Sequence, residues 1–240
     1  MKLALKSQQS INNDINQNFL TIRSHAISED KNTDMICFGE GFLHGFDALT
    51  WDYNKDKHIA ITNDSHMIHD IRKLASENGL SIGFGYFEHE VSTQKIYCSY
   101  MVIDAYGHIL MNYRRVSKGW KDQSKTDKHY AEGNELTTFQ YMGKKIALCL
   151  CGDLWYPKNI KKINKLTKDF LLWPLHIDYS IEMWKREKIL YQRQSAKINA
   201  PVLMVNNVST SSLGGSCYFK DGKVFKELPM DCCGTLIVEI

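Results

Sequence analysis

Residues 146–157 read IALCLCGDLWYP, an apolar run that leads directly into a cysteine and a polar turn. The run is typical of a buried strand, and the Gly152-Asp153 pair predicts its end. A thiol at a strand end is held firmly by the sheet, while its sulfur can face a pocket beyond the strand. Free cysteine is also a common core residue, so Cys151 needs neighbours that activate it before a reaction can be assigned to it.

Two other predicted strands end in charged residues. Residues 34–38 form a second buried run, which stops at a Gly-Glu-Gly turn carrying Glu40. Residues 96–104 and 108–114 alternate in polarity around a short turn, which predicts a hairpin. A cationic cluster follows this hairpin: Arg114, Arg115, Lys118 and Lys121. Active sites of open α/β sheets gather at the carboxyl ends of strands, so the acid, the cations and the thiol can meet there.

Helical and strand patterns alternate along most of the chain, which indicates an α/β protein whose sheets are covered by helices. The length of 240 residues favours one domain with a single large core. A polar stretch over residues 117–133 predicts a long functional loop, and the last 28 residues predict a β meander. The remaining predicted helices cover residues 11–26, 66–78, 158–166 and 180–199, and the remaining strands cover residues 3–5, 80–87, 169–174 and 201–206.

Composition excludes several classes of protein. The chain has 30 Lys and Arg against 27 Asp and Glu, interspersed along its length, so we expect neither nucleic acid nor a membrane surface as a partner. Its apolar runs are far shorter than the ~18 residues that span a bilayer, and the opening residues lack a secretory pattern. We therefore expect a cytoplasmic protein with free thiols. Seven cysteines without metal-ligand spacing argue against a zinc or redox protein, so no metal is expected.

The order and context of these residues resemble the nitrilase, or carbon-nitrogen hydrolase, superfamily. Residues 38–46, 104–115 and 143–157 are similar to the blocks that carry its glutamate, its lysine and its cysteine. The Asp-x-Trp form of the third block is also similar to the glutaminase domains of NAD synthetases, and the resemblance runs nearly from end to end. It implies a four-layer αββα sandwich of nitrilase type, a carbon-nitrogen hydrolase domain over residues 1–240, and a homodimer or higher homo-oligomer.

The resemblance also implies a reaction. Cys151 would attack a small-molecule amide or carbamoyl compound and form a thioester, releasing ammonia or an amine, with no cofactor. Glu40 would act as the base, and the backbone N–H of Gly152 together with a nearby cation would hold the oxyanion. Three further residues are expected to bind substrate: Asp127, Trp155 and His176.

The residue at the position of the family's lysine departs from the family pattern. Arg115 stands where the family has lysine, and arginine can hold an oxyanion but cannot exchange a proton. Lys118 could reach the site by another path, so both residues remain candidates. Two hypotheses follow from this departure: an amide hydrolase, and a catalytically weakened nitrilase-like binding or scaffold protein. The sequence leaves the individual substrate open.

Overall fold

The chain folds into two six-stranded β-sheets that pack face to face, each covered on its outer side by helices. The structure is a computed structural model that describes residues 1–240. The strands are β1 (Lys2–Ser7), β2 (Met35–Cys37), β3 (Ser81–Glu90), β4 (Lys95–Ile103), β5 (Ile109–Arg114), β6 (Thr138–Tyr141), β7 (Lys144–Leu148), β8 (Phe170–Leu175), β9 (Val202–Asn206), β10 (Ser216–Lys220), β11 (Lys223–Leu228) and β12 (Gly234–Glu239). The helices are α1 (Ile15–Ser28), α2 (Tyr53–Asp56), α3 (His66–Asn78), α4 (Pro157–Lys165) and α5 (Ile181–Ser195), with a 3₁₀ helix over Cys151–Trp155.

The two sheets have related strand arrangements. The first has the order β12-β1-β2-β3-β4-β5, and the second has the order β11-β10-β9-β8-β7-β6. Each sheet is built around three parallel strands, β1-β2-β3 in the first and β7-β8-β9 in the second. The other strands pair antiparallel. The carboxyl ends of β2 and β7 therefore lie at the interior of their sheets, where the turns that follow them can be shaped by neighbouring strands.

Three apolar cores separate four layers. The central core lies between the sheets and includes Leu5, Leu148 and Val205, all fully buried. The first outer core packs α1 and α3 on the first sheet, and the second packs α4 and α5 on the other sheet. This order of helix, sheet, sheet and helix confirms the predicted αββα sandwich.

Local sequence explains the helices well, and α3 shows how. Four side chains recur at helical spacing and are buried on the sheet: Ile68, Ile71, Leu74 and Ala75. Ser65 caps the first turn, with its hydroxyl accepting from the Ile68 N–H, and Gly79 ends the helix in the left-handed region at a φ of 60°. The predicted helix over residues 66–78 is confirmed. Helix α1 begins at Ile15, later than predicted, because the Asp14 carboxylate caps it by accepting from the Gln17 N–H at 3.0 Å.

The predicted β meander at the end of the chain was wrong in its last strand. Strands β10 and β11 form an antiparallel hairpin, but β12 crosses to the other sheet and pairs with β1. The pairing places Leu3 opposite Val238, so the strand adds buried apolar area to the first sheet and covers its edge. Short strand β6, at the edge of the second sheet, was not predicted.

The helices are all too short or too polar to serve as a bilayer span. All seven cysteines are free thiols, five of them buried or half-buried and two, Cys232 and Cys233, exposed.

A close backbone approach on β3 yields a stability prediction. A Cβ on Gly85 would lie 2.3 Å from the Gly41 nitrogen and 2.7 Å from the Gly39 oxygen, in the turn that follows β2. We expect Gly85→Ala to lower the free energy of unfolding by more than about 2 kcal/mol, because backbone atoms must move to relieve the overlap. Urea denaturation measures the loss.

Gly79→Ala is the matched control for Gly85→Ala. No atom lies within 4 Å of a Cβ added at Gly79, so only the positive φ of this residue disfavours alanine there. We expect Gly79→Ala to lower the free energy of unfolding by about 1 kcal/mol. Equal losses for the two variants would contradict the close-approach argument.

Candidate active site

Cys151 lies at the first position of the 3₁₀ helix that follows β7. Its backbone φ is 33°, a left-handed conformation that is unusual for a residue other than glycine. The Trp173 indole N–H donates to the Cys151 carbonyl at 2.8 Å, and the Cys151 thiol points to the His176 carbonyl at 3.8 Å. These contacts to β8 and the segment after it hold the turn, while Cys151 itself lines a cavity.

Glu40 lies in the turn after β2 and is completely buried. This turn is tied to the other sheet, because the Glu40 N–H donates to the Leu175 carbonyl at 3.1 Å. Asn207 adds two hydrogen bonds: its amide donates to the Glu40 carbonyl at 2.6 Å, and its side-chain oxygen accepts from the Gly39 N–H at 2.9 Å. The Glu40 backbone is therefore fixed at the seam between the sheets.

Arg115 is the cation that meets Glu40. Its Nη1 donates to Glu40 Oε1 at 2.7 Å, and its Nε donates to the Ser117 hydroxyl at 2.8 Å. The Cys98 thiol points to the same Glu40 oxygen at 3.3 Å. The second oxygen, Oε2, is buried without a protein partner. The carboxylate thus has one oxygen bound twice and one oxygen free.

Arg115 also touches the turn that carries Cys151. A Cβ on Gly152 would lie only 2.5 Å from Arg115 Nη2, so the guanidinium packs directly on the backbone beside Cys151. Lys118, the other candidate cation, has an exposed side chain. Its backbone carbonyl accepts from Gln123 at 3.0 Å, within the polar loop. The structure places Arg115, and not Lys118, beside Glu40.

The pKa shifts of these three groups follow from burial and from their mutual charges. Burial raises the pKa of the Glu40 carboxyl, and the adjacent Arg115 guanidinium opposes that shift. Burial and the charge of Glu40 raise the pKa of the Cys151 thiol to about 12, although Arg115 acts in the opposite direction. Burial disfavours the charge on Arg115, but Glu40 raises its pKa, so the guanidinium stays protonated. At neutral pH the resting sulfur is therefore a thiol, and a reaction needs a base to remove its proton.

Asp153 connects the turn that carries Cys151 to the segment that carries Arg115. It is fully buried and accepts from the Tyr113 hydroxyl at 2.6 Å and from the Leu150 N–H at 2.9 Å. It also accepts from the Val116 and Ser117 N–H groups at 3.1 and 2.8 Å. One carboxylate thus positions the residue before Cys151 and both residues after Arg115.

The cavity in front of Cys151 has two adjoining lobes of about 240 and 400 Å³. Both lobes share Arg115, Cys151 and His176 in their walls. Gly152 and Trp155, which the sequence singled out, line the larger lobe. Three of the residues that line the cavity gave no signal in the sequence: Asp47, Asp178 and Ser211. Phe46, which also lines it, lies in the stretch 38–46 that resembles the glutamate block, but the sequence gave it no role.

Asp127, predicted to bind substrate, lies outside this cavity. It lines a separate surface depression with Tyr53 and His129, and it pairs with the His129 imidazole at 2.9 Å. The reason is the path of the polar loop: the Tyr130 hydroxyl donates to Asp56 in α2 at 2.6 Å, which holds this part of the loop against another region of the chain.

Comparison of the sequence with known proteins assigns the chain to a family. Residues 2–240 match the carbon-nitrogen hydrolase family model, so the chain belongs to that family. Its members hydrolyse C–N bonds, and the chain is a hydrolase of this class. The predicted family and the predicted enzyme class are both confirmed.

The individual proteins that resemble this chain share only a small part of its sequence. The chain is 25% identical over 224 residues to deaminated glutathione amidase of Dictyostelium discoideum, covering 86% of this chain and 74% of that protein. Its fold is similar to that of an amidase from Nesterenkonia sp., with a TM-score of 0.83 at 15% identity over 100% of this chain and 90% of the other. It is also similar to glutamine-dependent NAD+ synthetase from Acinetobacter baumannii, with a TM-score of 0.81 at 19% identity over 98% of this chain and 44% of the other. These structures show a shared fold.

The Asp153 contacts yield a second stability prediction. We expect Asp153→Ala to lower the free energy of unfolding by at least about 3 kcal/mol, because four donors in a dry environment lose their acceptor. Chemical denaturation measures the change. Asp169→Ala is the control, since this exposed carboxylate accepts from only one backbone group, the Lys145 N–H at 2.7 Å. This variant should lower the free energy of unfolding by less than about 1 kcal/mol. Similar losses for both variants would show that Asp153 does not tie the two segments together.

Proposed function

We propose that this protein hydrolyses a small amide or carbamoyl compound through a thioester on Cys151. The observation that carries the proposal is the position of Arg115, which contacts the Glu40 carboxylate and the Gly152 backbone at once. An acid, a cation and a sulfur from three separate strand ends therefore share one buried site. Those are the groups that amide hydrolysis by a thiol requires.

The first half-reaction forms the thioester. Glu40 accepts the Cys151 proton while the sulfur attacks the amide carbon, so a C–S bond forms and the carbonyl oxygen becomes negative. When the oxyanion collapses, the C–N bond breaks and Glu40 returns its proton to the departing nitrogen. Ammonia or an amine leaves.

The second half-reaction restores the enzyme. Glu40 takes a proton from a water molecule, and the hydroxide attacks the thioester carbon. The C–S bond breaks, the carboxylic acid is released, and the sulfur recovers the proton from Glu40. Because Arg115 cannot give up a proton, Glu40 carries every proton transfer.

Oxyanion stabilisation falls to Arg115 and to the Gly152 amide. The guanidinium lies against Gly152 and remains charged, so it can offset negative charge that develops beside the sulfur. The Gly152 N–H belongs to the first turn of the 3₁₀ helix, where amide groups have no acceptor within the helix. Each such donor can lower the barrier by about 3 kcal/mol.

Self-association also remains a prediction. Helix α5 exposes three apolar side chains, Met183, Ile189 and Leu190, which offer a surface for the expected homodimer.

Substitution of the nucleophile tests the proposed function. We expect Cys151→Ala to abolish ammonia release from a panel of amides, ureas and nitriles, because no thioester can form. Cys149→Ala is the matched control: Cys149 is two residues away but buried in the outer core, so its variant should lose stability and retain turnover. Ammonia is measured by a coupled assay. Equal release by wild type and Cys151→Ala would contradict the proposal.

A second function, ligand binding without turnover, is favoured by one observation. The Arg115 guanidinium binds Glu40 Oε1 and packs on the nucleophile turn, and a charge-assisted hydrogen bond of this kind restrains a general base. A protein with this arrangement could retain the cavity and bind an amide without cleaving it.

Arg115 variants separate the two functions. If Arg115 stabilises the oxyanion, Arg115→Met should reduce kcat/KM by at least about 100-fold, and Arg115→Lys should retain part of the activity because it keeps the charge. If Arg115 prevents turnover, wild type should release no ammonia, and Arg115→Lys should release it. Thermal stabilisation of wild type by an amide, without ammonia release from either protein, would favour the binding function.

A further inference from the structure

The charges around the cavity are unevenly distributed. Arg115 is the only Lys or Arg in the walls of the two lobes, and it already forms an ion pair with Glu40. Asp47 and Asp178 line the cavity from the rim, and neither forms an ion pair within the protein. The mouth of the cavity is therefore acidic and has no free cation to receive a carboxylate.

His176 adds a buried acceptor to this wall. Its side chain stacks on Phe46, with ring centroids 4.4 Å apart at an angle of 11°, and only 9% of the residue is exposed. The Ser211 hydroxyl donates to Asp47 at 2.7 Å, so its oxygen accepts from His176 Nε2 at 3.2 Å. Burial lowers the pKa of His176 to about 4, so the ring is neutral and carries its single proton on Nε2. His176 Nδ1 is then a bare acceptor, and it is buried without a protein donor.

Aromatic rings complete the larger lobe. Trp155 meets the Tyr191 ring edge-on at 5.2 Å and 89°, and Tyr179 meets it at 6.3 Å and 87°. Asp178 lies in the wall of the same lobe. Aromatic faces beside a carboxylate are the surroundings that bind an organic cation.

We infer that the preferred substrate is an amide or carbamoyl compound whose opposite end carries a protonated amine, held by Asp178, His176 Nδ1 and the aromatic wall. An ammonium group supplies both the positive charge and the N–H donors that these residues lack. This inference rests on the proposed function, because it names the substrate class of the same cavity.

Three amides of matched length test the inference: δ-aminovaleramide with an ammonium end, hexanamide with a methyl end and glutaramate with a carboxylate end. We expect wild type to hydrolyse δ-aminovaleramide with kcat/KM at least about tenfold above that for glutaramate. In Asp178→Asn the ratio of kcat/KM for δ-aminovaleramide to that for hexanamide should fall about fivefold, and Asp178→Lys should favour glutaramate. Asp70→Asn is the control, since Asp70 is exposed on α3 and should leave the ratio unchanged.

A binding measurement separates this inference from the proposed function. Thermal unfolding of Cys151→Ala is followed with each amide, and only δ-aminovaleramide should raise the midpoint. Stabilisation of this kind without turnover by wild type would overturn the proposed function, and it would leave only the preference of the cavity for an ammonium end standing. Preference for glutaramate, an unchanged ratio in Asp178→Asn, or equal stabilisation by the three amides would overturn the inference, while turnover by wild type would still uphold hydrolysis.

Discussion

The buried Asp153 carboxylate is the constraint on which the site depends. One of its hydrogen bonds is made within the turn that carries Cys151, and the other three reach the end of β5 and the segment after it, so together they join the two parts of the chain. Besides them, the packing of the Arg115 guanidinium on the Gly152 backbone connects the segments that carry Arg115 and Cys151. A single acceptor can do this because a carboxylate takes up to four hydrogen bonds, and burial makes each unsatisfied donor costly. The same turn places Cys151 in a left-handed conformation, a strain that the surrounding hydrogen bonds sustain.

The residues that sequence patterns located well are those at the ends of interior strands. Glu40 and Cys151 each follow a buried run, and the carboxyl ends of parallel strands meet at one edge of a sheet. Their proximity across two sheets, however, came from the resemblance to a family, since no spacing rule predicts how two sheets stack. The hydrogen bond from Glu40 N–H to Leu175 joins residues that are far apart in the chain. The stacking of the sheets could not be derived from either segment alone.

Loop residues were predicted less well, and the cause is physical. Lys118 and Asp127 lie in the polar stretch after β5, which has no apolar periodicity to set its path. That path is instead set by a distant partner, through the Tyr130 hydrogen bond to Asp56, and by the ion pair of Lys121 with Glu132 at 2.8 Å within the loop. Strand β12 illustrates the same limit, because its alternation suits either sheet and does not specify that it pairs with β1.

Arginine in place of lysine changes how protons can move through the site. A lysine could in principle lend a proton, whereas Arg115 can only orient and stabilise. Arg115 and Cys98 both engage Glu40 Oε1, so the oxygen that is free to exchange a proton is Oε2, which is buried without a partner. In the proposed reaction the two carboxylate oxygens therefore take different parts: Oε1 anchors the side chain, and Oε2 would be the basic atom. Burial favours the protonated form of Glu40 and so brings its pKa closer to that of the Cys151 thiol, the proposed proton donor. The Arg115 guanidinium holds the Glu40 carboxylate in place, and by itself it would lower the pKa of that carboxyl. Burial raises the same pKa, so the carboxylate stays basic.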